Sequence, residues 1–114
     1  MRTILQLAIL TLLLFNFNYS HSQCSSAEQE LIIEIVPDSY PGEISWELTY
    51  LGSVIHSGDF NGDTICIDTS MCHVFTIYDS YGDGICCAYG VGYYNLYIDG
   101  TLIHTGDEYT THEA

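Results

Sequence analysis

The chain has 114 residues, 47% of them hydrophobic, and it carries 15 Asp or Glu residues against a single Lys or Arg. Its formal net charge of −14 at pH 7 argues against nucleic acid or an anionic membrane as partner. With Arg2 as the only permanent cation, the rest of the chain has no Lys or Arg with which to form an internal ion pair.

The first 22 residues have the features of a signal peptide. Arg2 provides a short positive segment, residues 4–17 are almost continuously apolar, and Ser20-His21-Ser22 supplies small residues around a cleavage site before Gln23. The apolar run is shorter than the roughly 20 residues that span a bilayer, so we expect secretion without membrane insertion. Residues 23–114 are then one small domain, with a formal net charge of −15 once Arg2 is lost.

Short strands are predicted along nearly the whole of that domain. In the segment ISWELTY, Ile44, Trp46 and Leu48 alternate with polar residues, as in a strand with one buried face. ELIIEIV, SVIHSG, TICID, CHVFTIYD, GYYNLYI and TLIHTG are also rich in β-branched or aromatic residues. Asp99-Gly100 between two such runs predicts a tight hairpin, and no segment carries a helical stripe. The fold class is therefore all-β.

The domain repeats itself. LTYLGSVIHSGD, residues 48–59, aligns without gaps on LYIDGTLIHTGD, residues 96–107, and a DSY segment precedes each copy, at residues 38–40 and 79–81. The pattern predicts a duplicated three-strand unit with halves at about 31–59 and 74–107. We expect the two copies to face each other as a small two-sheet sandwich, with TICID as an added strand that joins them.

Five cysteines in a secreted chain predict disulfides with one thiol left over. Adjacent cysteines rarely bond each other, so Cys86 and Cys87 are expected to reach separate partners, most simply Cys66 and Cys72. The main alternative joins Cys66 to Cys72 and gives Cys24 one of the adjacent pair. If Cys24 is instead the odd thiol, it is available for a disulfide to another chain.

The segments FTIYDSYGDGICC and YGVGYYNLYIDG resemble an accessory domain of large secreted proteins of marine bacteria and microbial eukaryotes. In those proteins the domain is often appended to extracellular peptidases or adhesins. The resemblance covers about residues 31–106, and the DSYGDGICC block is its most specific part. It implies a non-catalytic, β-rich extracellular module.

The DSYGDG loop is also a candidate calcium site. Asp79 and Asp83 stand at the first and fifth places of an EF-hand-like loop, but Tyr81 and Gly90 occupy places that need carboxylates, so an EF-hand is excluded. A looser site remains, with Asp79 and Asp83 as ligands and Asp38 from the matching loop as a third carboxylate. The alternative is that these residues serve only the turn.

DFNGD provides a second candidate calcium loop. Its Asp59, Asn61 and Asp63 alternate along one short segment, and Asp59 and Asp63 supply the carboxylates. The same composition is common in turns that bind nothing, so the metal and turn interpretations both stay open.

Tyrosines in and after the glycine-rich loop form a candidate binding surface. Tyr81, Tyr89 and Tyr93 lie beside acidic residues, where their rings can stack on a sugar or contact a protein. The alternative is ordinary strand packing, which we expect for Trp46 and Tyr94 because they occupy equivalent apolar positions of the two repeats.

A catalytic function is not expected. The chain has no nucleophile elbow and no phosphate-binding glycine loop, and its only basic side chain other than His lies in the leader. We predict a secreted binding or adhesion module that is stabilised by calcium and contacts an extracellular carbohydrate or protein. The alternatives are a spacer domain held by disulfides alone, and an acidic partner of a basic secreted protein.

Overall fold

The computed structural model describes residues 24–114, so the predicted signal peptide and its cleavage site lie outside the described residues. Within these described residues, one 3-10 helix, Pro41–Glu43, lies among strands and turns. The strands are β1 (Gln29–Val36), β2 (Ile44–Tyr50), β3 (Ser53–Asp59), β4 (Asp63–Ile67), β5 (His73–Asp79), β6 (Cys86–Cys87), β7 (Gly90–Val91), β8 (Tyr93–Ile98), β9 (Thr101–Gly106) and β10 (His112–Glu113). Within this part of the chain, no helix has the length and hydrophobicity needed to cross a membrane.

Two four-stranded antiparallel sheets pack against each other. The first has the order β4-β1-β8-β9 and the second the order β10-β5-β2-β3, while β6 and β7 form a separate two-stranded ribbon. The all-β class and the two-sheet sandwich predicted from sequence periodicity are confirmed.

The two sheets are built from exchanged strands of the two repeats. β1 of the first repeat pairs with β8 of the second, and β5 of the second pairs with β2 of the first. β4 lies on the other side of β1, and β10 lies on the other side of β5. The two orders correspond strand by strand: β4 to β10, β1 to β5, β8 to β2 and β9 to β3. Each sheet thus contains strands of both repeats, and TICID (β4) lies at the edge of the first sheet, as β10 does in the second.

The hairpins of the two repeats match residue by residue. Trp46 lies opposite Gly58, and Tyr94 lies opposite Gly106, at positions that the sequence alignment makes equivalent. Each hairpin also shifts its register at the same step, after Leu48 in one and after Leu96 in the other. The sequence match between these segments thus extends to backbone irregularities.

The DSY segments, in contrast, match by sequence but not by strand register. Ile77 pairs with Trp46, and Ile35 pairs with Tyr94, so Ile77 and Ile35 hold equivalent positions in β5 and β1. Two residues further along the chain, Asp79 is therefore equivalent to Pro37. Asp38 lies one position beyond that place. Because successive residues of a strand point to opposite faces, this shift lets Asp79 continue the inward-facing row of β5, which Asp38 does not do for β1.

The core fills the space between the sheets. Trp46, Tyr94, Ile77 and Ile85 are its most completely buried large side chains, which confirms that Trp46 and Tyr94 are core residues. The other buried apolar residues come from β1, β2, β4 and β8: Leu31, Ile33, Ile35, Ile44, Leu48, Ile67 and Leu96. Phe75 stacks on Trp46 and also contacts Tyr94, so its ring links the two equivalent aromatic positions.

The Trp46 and Tyr94 rings each lie against a glycine on the neighbouring strand. A Cβ added to Gly58 would be 2.7 Å from the Trp46 indole, and one added to Gly106 would be 2.5 Å from the Tyr94 ring. The sequence GD that ends both IHxGD copies therefore leaves room for a large ring that crosses over the edge strand.

Replacing Gly58 or Gly106 by Ala is expected to lower the free energy of unfolding by about 1–3 kcal/mol, because overpacking forces the ring or strand to move. Gly42→Ala is the matched control, since a Cβ there meets no atom within 4 Å. Chemical denaturation of the three variants measures the differences. Equal stability of all three would contradict the close packing at the two rings.

The disulfides differ from the predicted ones. Cys24 bonds Cys66, with a Cα–Cα distance of 5.4 Å, and Cys86 bonds its neighbour Cys87. Pairing of β1 with β4 brings the segment before β1 alongside Cys66, whereas Cys86 and Cys87 lie on the separate β6–β7 ribbon. Cys24 is thus not an unpaired thiol, and the exposed Cys72 is the free cysteine of the described residues.

Cys24→Ser is expected to destabilise the protein by about 2–4 kcal/mol, because the lost disulfide closes a long loop. Cys72→Ser, the matched control, is expected to have little effect. Alkylation without reduction, followed by peptide mass mapping, should label Cys72 and recover a Cys24–Cys66 cross-linked peptide. Recovery of a Cys66–Cys72 peptide would contradict this pairing.

Candidate metal centre

Asp79 ends β5 and organises the loop that follows. Its side chain is only 3% exposed, and its backbone N–H donates to the carbonyl of Thr111 at 2.9 Å. Its carboxylate accepts three backbone N–H groups, from Tyr81 at 3.0 Å, Asp83 at 2.7 Å and Gly84 at 2.5 Å. One buried side chain thereby accepts three backbone N–H groups of the turn that follows it.

Two glycines make this tight turn accessible. Gly82 and Gly84 have φ values of +90° and +74°, in the left-handed region that side chains disfavour. A Cβ on Gly84 would also collide with the carbonyl oxygen of Tyr109. The two glycines of YGDG are therefore required by the backbone path itself.

Burial and hydrogen bonding have opposite effects on the two aspartates of the loop. Burial raises the pKa of Asp79, but the N–H groups that it accepts outweigh burial and bring the pKa below its ordinary value. The pKa of Asp83 is raised by burial, by its contact with the Asp79 carboxyl and by the charge of Asp79. Asp79 is thus the group that stays ionised, and the proximity of the two carboxyls raises the pKa of Asp83.

Glu43 brings a third carboxylate to the loop. It ends the 3-10 helix just before β2, and its carbonyl accepts the backbone N–H of Ser80 at 3.0 Å. Carboxylate oxygens of Glu43, Asp79 and Asp83 all lie within 4.8 Å of one another. The pKa of Glu43 is raised by partial desolvation and then by the negative charges of Asp79 and Asp83.

Sequence analysis missed Glu43, because no motif links it to the DSYGDG loop. The signal is in the strand pairing: Ile44, the next residue, lies opposite Asp79 across β2 and β5. Pairing of β2 with β5 in this register therefore places Glu43 beside the loop.

The Asp83 carboxylate has an unused acceptor. Its Oδ1 is shielded from solvent and has no hydrogen-bond partner within residues 24–114. A shielded carboxylate oxygen without a donor is costly. A cation bound between the three carboxylates would supply the missing positive charge.

Asp38 is nearby but does not converge with the other three. Its Oδ1 accepts the backbone N–H of Tyr40 at 2.8 Å, within its own turn. Its negative charge contributes to the raised pKa values of Glu43 and Asp83, after the larger effects of burial and Asp79. The structure therefore places Asp38 in the electrostatic surroundings of the cluster and Glu43 in the cluster itself.

The second predicted calcium loop does not assemble a comparable group. Asp59 Oδ1 accepts the N–H and side-chain amide of Asn61, both at 2.9 Å, and Asp63 Oδ1 accepts the N–H of Thr64 at 2.7 Å. Within the described residues, neither aspartate belongs to a cluster of three ligand-bearing side chains. The hydrogen bonds of Asn61 lower the pKa of Asp59, as expected of a turn residue.

A small cavity of about 200 Å³ opens beside the carboxylates. Tyr81 and Tyr89, two of the three tyrosines singled out in the sequence, line it together with Tyr40, Glu43 and Asp83. Tyr40 contacts Tyr89 edge to face, with ring centroids 5.5 Å apart. The cavity is thus lined by three tyrosine rings and two carboxylates.

The third predicted tyrosine, Tyr93, is partly exposed but does not line this cavity. Tyr40 takes that role instead, and sequence analysis had not singled it out. Tyr81 is 75% exposed, so most of its ring is available for contact.

Comparison with known proteins finds no matching family model, no similar curated protein and no similar solved structure. The resemblance to an accessory domain of secreted proteins therefore stays a prediction. The functional argument rests on the site itself.

Asp79→Asn is expected to destabilise the protein by about 2–3 kcal/mol in the presence of a chelator, because the amide replaces a charged acceptor of three N–H groups. Asp38→Asn is the matched control, since Asp38 accepts only one N–H, and we expect a loss below about 1 kcal/mol. Thermal and urea unfolding measure both. Equal losses would contradict the central role of Asp79 in the loop.

Proposed function

We propose that the protein is a secreted, non-catalytic binding module that is stabilised by calcium at Glu43, Asp79 and Asp83 and contacts an extracellular carbohydrate or protein. The observation that supports the calcium site is the convergence of three carboxylates within 4.8 Å of one another. This carboxylate geometry is the basis of the proposal.

Charge supports a bound cation at this cluster. Three carboxylates so close together repel one another, and no Lys or Arg exists after Arg2 to neutralise them. Either the carboxyls take up protons, as the raised pKa values of Glu43 and Asp83 favour, or a cation binds. At neutral pH a divalent cation neutralises two of the charges without protonation.

The donor set favours calcium over a transition metal. All three converging side chains offer oxygen, and His and Cys do not belong to the cluster. Calcium prefers oxygen ligands and tolerates irregular geometry, with carbonyls and water completing its shell. Zinc would prefer nitrogen or sulfur.

The adjacent tyrosines support a binding rather than a catalytic role. A cavity of about 200 Å³ is smaller than the roughly 300–1,000 Å³ of ordinary small-molecule sites, and its aromatic rim is exposed. Such a rim suits contact with a sugar ring or a protein side chain. Calcium would act by holding Glu43, Asp83 and the loop that carries Tyr81 in place.

Calcium at about 100 times its dissociation constant is expected to stabilise the protein by about 2.7 kcal/mol, which raises Tm by about 11–22 °C. Calorimetry of the purified, oxidised protein in calcium and in EDTA at constant ionic strength measures the shift.

Glu43→Gln gives a sharper test, because its effect should reverse with calcium. In EDTA it should raise Tm, since it removes a repelling charge; in calcium it should reduce or abolish the shift, since it removes a ligand. Asp63→Asn, outside the cluster, is the matched control and should leave the shift intact. An absent calcium shift would instead favour a spacer domain held by disulfides alone.

A further inference from the structure

An apolar cleft opens between the two sheets on the side away from the carboxylate cluster. Its volume is about 580 Å³, within the range of ligand sites, and neither Asp nor Glu side chains line it. Val74 and Phe75 of β5, Leu96 of β8 and Ile103 of β9 contribute to its walls, and His73 and His104 lie there too.

The pseudo-symmetry of the sandwich explains why the cleft exists. In the first sheet, β4 pairs with the first five residues of β1, and its Ile65 and Ile67 pack against the core. In the second sheet, β10 holds the equivalent place but pairs only with Ile77 and Tyr78. Beside the rest of β5, no strand of the described chain occupies the position that β4 fills in the other sheet.

The exposed side of β5 has the backbone groups that another strand would need. The N–H of Asp79 donates toward the β10 side, to Thr111. Because these groups alternate along an antiparallel strand, the N–H and carbonyl groups of Phe75 and His73 point to the same side. They lie beyond the two residue pairs that β10 makes with β5.

Apolar side chains that line the cleft are partly exposed. Val74 is 49% exposed, and Ile103 is 56% exposed although both line the cleft. Ile55, the counterpart of Ile103 in the first repeat, is 43% exposed. Exposure is thus similar in the two repeats, and the open edge of β5 is what distinguishes the second.

We propose that this cleft binds an extended apolar segment of a partner protein, which adds to β5 as a strand. The segment takes the place that β4 takes in the first sheet, and its preferred pattern is Ile-x-Ile, as in Ile65 and Ile67. Backbone hydrogen bonds to β5 supply affinity, and two inward side chains supply specificity. This site is separate from the carboxylate cluster and does not depend on calcium.

The charge distribution favours a partner over a second copy of this chain. Two copies each carry a formal charge of −15 after the predicted leader and repel one another. No Lys or Arg side chain lines the cleft, and Glu113 lies 3.8 Å from the lining residue His104, so the surroundings favour a neutral or basic segment.

The test uses a capped peptide, Lys-Thr-Ile-Ser-Ile-Lys, and a control peptide of equal charge, Lys-Thr-Asn-Ser-Asn-Lys. NMR titration of the purified, oxidised protein in EDTA should show binding of the first peptide only. Amide signals of residues 73–76 should shift, and hydrogen exchange should slow at His73 and Phe75, whose N–H groups point to the open edge.

Two matched variants locate the site. Ile103→Asp should weaken binding at least tenfold, because it places a charge in the cleft, while Ile55→Asp at the equivalent position of the other repeat should leave affinity unchanged. Equal binding of both peptides, or equal loss in both variants, would overturn the proposal. Self-association that Ile103→Asp abolishes would place a second copy in the cleft and overturn it as well.

Discussion

Neither half of the chain can bury its own apolar face, and this constraint governs the rest of the structure. β1 finds its long partner in β8, and β2 finds its partner in β5, so each sheet exists only when both repeats are present. The aromatic row of Trp46, Phe75 and Tyr94 spans the same division, with rings contributed by both repeats. Packing between the repeats is therefore the core of the domain, and no smaller part of the chain has one.

The same exchange creates the carboxylate cluster. Glu43 precedes β2 of the first repeat and Asp79 ends β5 of the second, and they meet only because those two strands pair. The site thus lies where the repeats join, and its composition reflects their divergence. The first repeat has Pro37 where the second has Asp79. Only one of these two equivalent positions therefore has a buried carboxylate and the loop that it organises.

Local sequence patterns predicted the elements but not their partners. Alternation placed Trp46 and Tyr94 inward, and the repeat predicted equivalent hairpins, because both signals depend on neighbouring residues. The choice of partner depends on contacts between distant segments, so the pairing of Cys24 with Cys66 and the approach of Glu43 to Asp79 were missed. The DSY match misled for a related reason: side-chain identity aligned Asp38 with Asp79, whereas strand register separates them by one residue and one face.

The exchanged strands also have a consequence for synthesis. Leu31 pairs with Ile98, 67 positions later, so β1 cannot pair with β8 until that much more of the chain has been synthesised. At translation rates of about 5–20 residues per second, that interval is about 3–13 s. Throughout it the ELIIEIV segment has an unsatisfied edge and an apolar face, which makes the nascent chain dependent on whatever shields it until its C-terminal half arrives.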